Sequence, residues 1–306
     1  MFMKYAIIDL GSNTIRLSLY SCSGGDFKPL MNKKVTAGLA GYIKNGELGD
    51  GGILLACRVL CSFRELAENL GAEGVSVFGT APLRNIVNTE EAVNTIRAVT
   101  GIDVDVLSGA EEAQLSYTGA VWGGSAPRTG LLADIGGGST ELVAYSEGRV
   151  SAECSLPVGS LSMYNEYVSG LFPGKEERRE MRERVKREIA RAGMPGNKYL
   201  HLVGVGGTIR AAAKLYGKLT DTEPASRLMS AGELAELYKG LKRGGKRALE
   251  LILRTAPERI HTILPGMAIL TSVLTAFGVE SVSISERGVR EGYLLSRVIG
   301  ASDNAG

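Results

Sequence analysis

Apolar residues run from Ala6 to Ile8 and stop at Asp9, and a second run from Leu131 to Ala133 stops at Asp134. Each run passes one apolar residue further into a small-residue turn, Gly11-Ser12-Asn13-Thr14 or Gly136-Gly137-Gly138-Ser139, and then into a second β-branched and apolar stretch, Arg16 to Ser21 or Glu141 to Ser146. The pattern predicts strand, glycine loop, strand twice over, with Val150 to Ser155 as a further strand in the second copy. Between the copies, Leu55, Val59, Phe63, Leu66 and Leu70 recur at helical spacing within 53–70 and stop before Gly71, a suitable C-terminal residue. A strand at Val75 to Gly79, a helix at Asn88 to Thr100, a strand at Asp103 to Leu107 and a helix at Ala110 to Val121 follow. Strands that alternate with helices in this way imply a layered α/β domain.

The cluster Gly123-Gly124-Ser125-Ala126-Pro127 breaks the alternation, which places the domain boundary there: residues 1–125 form one α/β domain and 126–306 the other. Beyond the second hairpin, Glu176 to Ala192 interleaves both charge signs at helical spacing and reads as a solvated helix. Tyr199 to Val205 is a strand that runs into Gly206-Gly207-Thr208, a third glycine loop, at the start of a helix through Leu215. Helices at Ala231 to Leu241 and Pro265 to Phe277, a strand at Ser281 to Ser285 and a final helix at about 288–299 complete the chain. That last helix is expected to pack back on the first domain, with a hinge near 123–130 and a frayed polar tail from Ala301 to Gly306.

Length and composition narrow the class without changing this outline. The 306 residues suffice for two cores, and 44% hydrophobic residues with 41 glycines describe a globular chain rich in tight turns. Lys and Arg total 35 against 33 acids, a net +2, so no bulk basicity points to nucleic acid or a membrane surface. No run approaches the roughly 18 apolar residues of a bilayer span, and the N-terminus enters a strand directly; a cytoplasmic location is expected. Cys22, Cys57, Cys61 and Cys154 read as buried free thiols, since His201 and His261 stand too far off in sequence to complete a zinc pattern.

Three glycine loops in one chain could turn N–H and hydroxyl donors toward successive phosphates, where a single such loop would equally serve close packing. Asp9-Leu10-Gly11-Ser12-Asn13, Thr80-Ala81-Pro82-Leu83-Arg84, Ser108-Gly109-Ala110-Glu111-Glu112-Ala113, Asp134 to Glu141, Val205-Gly206-Gly207-Thr208 and Arg287-Gly288-Val289-Arg290-Glu291-Gly292 stand in one order along residues 5 to 298. In these motifs the chain resembles the exopolyphosphatase and guanosine pentaphosphate phosphohydrolase family, in a short form without the additional C-terminal helical region. The resemblance implies the two-lobed fold of actin, sugar kinases and Hsp70-type chaperone ATPases, a ribonuclease H-like α/β fold, with the active site in the interlobe cleft.

It also implies a phosphoanhydride hydrolase, an exopolyphosphatase that removes the terminal phosphate of inorganic polyphosphate with Mg²⁺, or with Mn²⁺ as the other candidate. Glu112 would be the catalytic base. Asp134 and Glu141 would hold the metal, with Asp9 either a metal ligand through water or an anchor of its loop. Asn13, Arg84, Gly136, Gly137, Gly138, Ser139, Gly206, Gly207 and Thr208 would cradle phosphate. A homodimer is what the resemblance suggests, and a long processive polyphosphate channel is not expected.

The residue types suit those roles on chemical grounds. Water needs a carboxylate to take its proton, Mg²⁺ takes hard oxygen ligands, and the Arg84 fork matches a phosphate edge in a loop stiffened by Pro82. Glu111 and Glu112 would also complement the dipole of their helix. Lys239, Lys242, Arg243, Lys246 and Arg247 put five cations in nine residues, either a track for a long polyphosphate or a solvated helix end. Trp122, the single tryptophan, reads as packing at the domain junction rather than stacking a guanine base. The rival functions are guanosine pentaphosphate 5′-phosphohydrolase, a sugar-kinase-type phosphotransferase, and a polyphosphate or nucleotide sensor that binds without hydrolysis.

Overall fold

A computed structural model describes residues 3–124, 126–221 and 228–300; the tail 301–306 and Ser125 lie outside the described residues. Along the chain run β1 (Met3–Leu10), β2 (Thr14–Ser23), β3 (Asp26–Thr36), β4 (Ile43–Lys44), β5 (Glu47–Leu48), α1 (Asp50–Asn69), β6 (Gly74–Gly79), α2 (Ala81–Arg84), α3 (Thr89–Thr100), β7 (Asp105–Val106) and α4 (Gly109–Val121). They are followed by β8 (Gly130–Ile135), β9 (Thr140–Ser146), β10 (Arg149–Leu156), α5 (Ser160–Tyr167), α6 (Lys175–Arg191), β11 (His201–Val205), α7 (Gly207–Thr220), β12 (Leu228–Ser230), α8 (Ala231–Lys242), α9 (Gly245–Thr255), α10 (Ile263–Ala276), β13 (Ser281–Ile284) and α11 (Val289–Tyr293).

The chain divides into two compact units, one made of residues up to Leu115 together with those from Val289 onward, the other running from Ser116 to Gly288. The division falls inside α4, ten residues before the boundary expected between 125 and 126, and α4 itself continues as one helix to Val121. The helix from Val289 belongs to the first unit.

In the first unit the sheet order is β3-β2-β1-β6-β7, with β1, β2 and β3 an antiparallel meander and β6 and β7 parallel to β1. The second unit repeats this order as β10-β9-β8-β11-β13, with β12 added antiparallel to β13 at the edge. The doubled order is the ribonuclease H-like architecture of the actin-like fold, as the motifs imply. Side chains of β1 alternate between two cores: Ala6, Ile8 and Leu10 face α1 and α3, whereas Ile7 joins Phe78, Tyr293 and Leu294 on the opposite face. Burial on both faces explains why β1 reads as a continuous apolar run. In the second unit Leu131, Ala133 and Ile135 of β8 and Leu142 and Ala144 of β9 pack against α10, which is buried along most of its length.

Several elements were not legible as such: β3, the short β4, β5, α2, α5 and β12, and α9. β3 carries Lys28, Lys33 and Lys34 on an exposed edge strand, where charge guards against further pairing and hides the apolar alternation. α9 begins at Gly244 and Gly245, both at positive φ, inside the basic stretch read only as charge. Among the described residues, no helix is long and apolar enough to cross a membrane.

Candidate active site

Both meanders change direction at the same kind of turn. The Gly11 N–H donates to the Thr14 carbonyl at 3.1 Å, and the Gly136 N–H to the Ser139 carbonyl at 3.0 Å. At both glycines a Cβ would lie 3.0–3.2 Å from that carbonyl oxygen, so a side chain would loosen the turn. In each unit the central strand is the one where antiparallel pairing on one side meets parallel pairing on the other. Loops leaving the carboxyl ends of strands at such a point are where α/β sheets place ligands.

The residues that face the two aspartates differ, and this separates the copies. Seven positions after each aspartate the returning strand brings back a direct cross-strand partner: Arg16 for Asp9, Glu141 for Asp134. In the first unit the pair is charge-neutral. In the second, two carboxylates oppose each other on one face, an arrangement that like-charge repulsion disfavours unless hydrogen bonds or a cation offset it. Hydroxyl donors are present. Ser116 Oγ donates to Asp134 Oδ2 at 2.7 Å, and Ser155 Oγ donates to Glu141 Oε1 at 2.8 Å.

Space around Asp134 is kept open by glycines. A Cβ on Gly206 would come within 2.9 Å of Asp134 Oδ1 and 2.7 Å of the Ile135 carbonyl, and Gly206 has φ +98°, which an L side chain seldom adopts. A Cβ on Gly288 would lie 3.7 Å from Asp134 Oδ2. A pair of hard oxygen donors, Glu141 buried and Asp134 half-buried, with room beside it suits Mg²⁺, which keeps several waters and takes its remaining ligands from phosphate. Among the described residues, no group of three or more His, Cys, Asp or Glu side chains is gathered for a metal. Asp9, with Arg16 opposite, lacks that second carboxylate.

Glycine loops two and three are braced from below. Gly159 lies so close to the Gly137 backbone that no side chain fits between them, and the Ser160, Leu161 and Ser162 N–H groups at the start of α5 donate to the Gly136 and Gly137 carbonyls. These bonds take up carbonyls of the turn. Gly207 opens α7 and carries the Arg259 guanidinium directly against its Cα. Thr208 is fully buried, with its side chain against Gly266, so it serves the packing of α7 on α10. Ser139 is also buried. Asn13 accepts the Gly38 N–H at its carbonyl, and Ser12 accepts that of Ala40, which fix the first turn.

In the first unit Arg84 and Glu112 meet. Arg84 ends the short α2 that follows β6, and Glu112 lies in the first turn of α4 after β7. Since β6 and β7 are parallel and adjacent, their outgoing loops emerge at the same end. Arg84 Nη1 donates to Glu112 Oε2 at 2.6 Å and to the Leu107 carbonyl at 3.1 Å, with Glu112 only 8% exposed. The ion pair compensates a carboxylate held mostly out of water.

Glu111 turns to other work. Its carboxylate accepts the Ser108 N–H at 3.0 Å while the Ser108 hydroxyl accepts the Glu111 N–H at 3.2 Å, a reciprocal cap on α4. Arg297 adds a 2.8 Å ion pair. The Ser108 hydrogen bonds hold the Glu111 carboxyl below its ordinary value, with Arg297 contributing.

Sequence reading missed Arg16, Ser116, Ser155 and Arg259. Arg16 and the two serines were recoverable by counting along the hairpins or the helix, whereas nothing local marks Arg259, which reaches Gly207 from a 3-10 turn at Pro257–Arg259. Of the remaining candidates, His201 bonds to Ser281 and Ser283, and His261 to Tyr164. Trp122 is partly exposed and lines a cavity of about 560 Å³ that also includes Glu286 and Arg287.

The profile of the Ppx/GppA phosphatase family matches residues 19–299. Exopolyphosphatase 1 of Mycobacterium bovis is 25% identical over 314 aligned residues, which take in 98% of this chain and 90% of that protein. The crystal structure of the Aquifex aeolicus member of the Ppx/GppA family is 25% identical, superposes with a TM-score of 0.80, and the match covers 98% of this chain and 99% of that one. An exopolyphosphatase structure from Cytophaga hutchinsonii shares the fold at 22% identity, with a TM-score of 0.86 over 97% of this chain and 98% of its own.

Proposed function

Because the chain belongs to the Ppx/GppA phosphatase family, we propose that it is an exopolyphosphatase that releases the terminal phosphate of inorganic polyphosphate in a Mg²⁺-dependent reaction. The observation that carries this reading is the Asp134–Glu141 pair on the strands flanking the Gly136-Gly137-Gly138 turn, a doubly negative position beside a loop suited to phosphate. The first unit, with Arg16 in the matching place, has no such need of a cation.

Asp134 and Glu141 would hold the metal, which when bound supplies positive charge against the terminal phosphoryl oxygens. The backbone N–H groups of Gly137 and Gly138, in the turn that the Gly136 N–H closes on the Ser139 carbonyl, and that of Gly207 bind non-bridging oxygens, and Arg259 adds a guanidinium at the second of these loops. Asn13 and Arg16 offer an amide and a cation on the first turn, where Asp9 anchors the loop. Glu112 takes a proton from water as the water oxygen bonds to the terminal phosphorus and the bridging P–O bond breaks. The products are inorganic phosphate and a chain shorter by one. Arg84 holds Glu112 in place and has further N–H groups for the phosphate itself. General-base help of this kind contributes roughly 10²–10⁴-fold in rate.

A second reading, guanosine pentaphosphate as substrate, is favoured by the cavity that combines the Trp122 indole with Glu286 and Arg287, a ring to stack on and complementary charges for a purine edge. One screen separates the readings: phosphate release from tripolyphosphate, long polyphosphate, guanosine pentaphosphate and ATP, with and without Mg²⁺. Release from the inorganic chains that disappears with EDTA supports the exopolyphosphatase. No release from any of them in Mg²⁺ would replace it with a non-hydrolytic sensor.

A further inference from the structure

A serine or threonine inside a helix commonly turns its hydroxyl back on that helix and donates to a carbonyl one turn earlier. Thr100, Thr220, Thr271, Ser272 and Thr275 each do so, toward the carbonyl four residues before them. Ser116 departs from this pattern. It is fully buried in α4, and its Oγ donates across to Asp134 Oδ2 on β8 at 2.7 Å. A hydroxyl has a single proton to donate, and here that proton is committed to a carboxylate of the candidate metal site rather than to the helix.

The neighbours of Asp134 show which way each of its oxygens faces. Gly288 lies on the Oδ2 side, where a Cβ would stand 3.7 Å from Oδ2 and 3.6 Å from Ser116 Oγ. Gly206 lies on the other, where a Cβ would come within 2.9 Å of Oδ1. The last torsion of an aspartate is broad, so the side chain does not select this orientation by itself. Glu141 directly opposite adds a like charge that works to turn the carboxylate aside. Ser116 ties Oδ2 to α4 against that torque, and Oδ1 is thereby presented toward the Gly206 loop.

We infer that Ser116 is a positioning residue for the cation: by holding Oδ2 it presents Asp134 to the metal through Oδ1, and so favours Mg²⁺ over Ca²⁺. The inference rests on the Mg²⁺-dependent reading of the site. Mg²⁺ demands near-ideal octahedral geometry, whereas Ca²⁺ accepts roughly 6–8 oxygens in a flexible arrangement and takes carboxylates through one oxygen or both. A carboxylate released from Ser116 turns more freely and offers both oxygens, a change that Ca²⁺ tolerates and Mg²⁺ does not. Partners that orient a metal ligand in this way typically carry about 10–100-fold in metal affinity.

The test uses the full chain without substrate. Mn²⁺ binding is read by electron paramagnetic resonance, and Mg²⁺ and Ca²⁺ are titrated against it, for the parent, Ser116→Ala, Asp134→Asn and Ser272→Ala. The last of these removes a buried serine hydroxyl from α10 in the same unit. Ser116→Ala should weaken Mg²⁺ binding about 10- to 100-fold and Ca²⁺ binding by less than about threefold, whereas Ser272→Ala should match the parent for both. Because both cations are read on one sample, any unfolded fraction cancels in the ratio of the two constants. Phosphate release from tripolyphosphate by Ser116→Ala should need about 10–100-fold more Mg²⁺ for half its maximum and, at saturation, reach a kcat within about threefold of the parent. An Mg²⁺ constant within about twofold of the parent overturns the inference, as does an equal loss for Mg²⁺ and Ca²⁺, or the same loss in Ser272→Ala. No Mn²⁺ binding by the parent, or binding that survives Asp134→Asn, overturns the metal reading itself and the inference with it.

Discussion

Replacing Glu141 by Gln tests the carboxylate pair without any measurement of activity. Direct cross-strand partners have Cβ atoms about 5 Å apart, and two unit charges at that distance repel by about 3 kcal/mol at an effective dielectric of 20. Ser116 and Ser155 donate to the two carboxylates, and those bonds survive the change in weaker form. A net gain of about 1–2 kcal/mol is therefore expected for the variant in metal-free buffer, a rise in Tm of roughly 2–8 °C for a unit of the length of Ser116 to Gly288. Mg²⁺ reverses the order. At 100 times its Kd a cation adds about 2.7 kcal/mol to the parent, and the variant, with half its carboxylate donors gone, gains little. Thermal unfolding followed by near-UV circular dichroism, in EDTA and across a Mg²⁺ titration, should show the two curves crossing. A variant less stable than the parent in EDTA, or an equal Mg²⁺ shift in both proteins, would refute the reasoning.

Four further outcomes follow from the geometry. Glu112→Gln should lower phosphate release by roughly 10²–10⁴-fold while polyphosphate binding persists; unaltered turnover removes Glu112 from its role. Glu111→Ala loses half of a reciprocal helix cap and should cost about 1 kcal/mol in urea unfolding while kcat stays within about twofold of the parent, an order-of-magnitude bound from its lack of any proposed contact with substrate. Because the folded Glu111 carboxyl is held below its usual value, it stabilises the fold above its unfolded pKa, and that contribution disappears as pH falls through the folded one; the parent's advantage over Glu111→Ala should vanish in unfolding curves taken toward pH ~3. Gly207→Ala would displace the Arg259 guanidinium and should raise KM for polyphosphate about tenfold, as expected when one charge-assisted contact worth about 1.5–3 kcal/mol is lost, with far-UV dichroism unchanged.

Much of this was legible because hairpins count in twos. Once Asp134 is assigned to a strand and Gly136 to Ser139 to its turn, Glu141 must return opposite it, and the same count sets Arg16 opposite Asp9. The difference between the copies was thus present in the residues, though easily missed while attention rests on their similarity. The division of labour between Glu111 and Glu112 was less accessible. Both lie in the first turn of α4, and only the position of Ser108 as cap and Arg84 as partner separates them. Arg259 shows the limit. Its neighbour Gly207 stands 52 positions earlier, and the contact depends on α7, α8 and α9 packing in a particular way, which no local pattern records.

The last described helix bears on how the protein is made. Tyr20 donates to Glu291 at 2.6 Å, Arg290 donates to Ser18, Tyr293 stacks on Phe78, and Gly292 is pressed against the Leu115 backbone. Glu291 and Arg290 are both buried, so the first sheet lacks one of its two covering layers until those residues leave the ribosome. Synthesis would then run counter to the usual N-terminal-first order: the inserted unit has all of its strands in hand earlier, while β1, β2 and β6 wait with an apolar face open. A nascent chain halted before Val289 should remain a client of chaperones, and the N-terminal half commits to its fold only once the helix from Val289 is available to it.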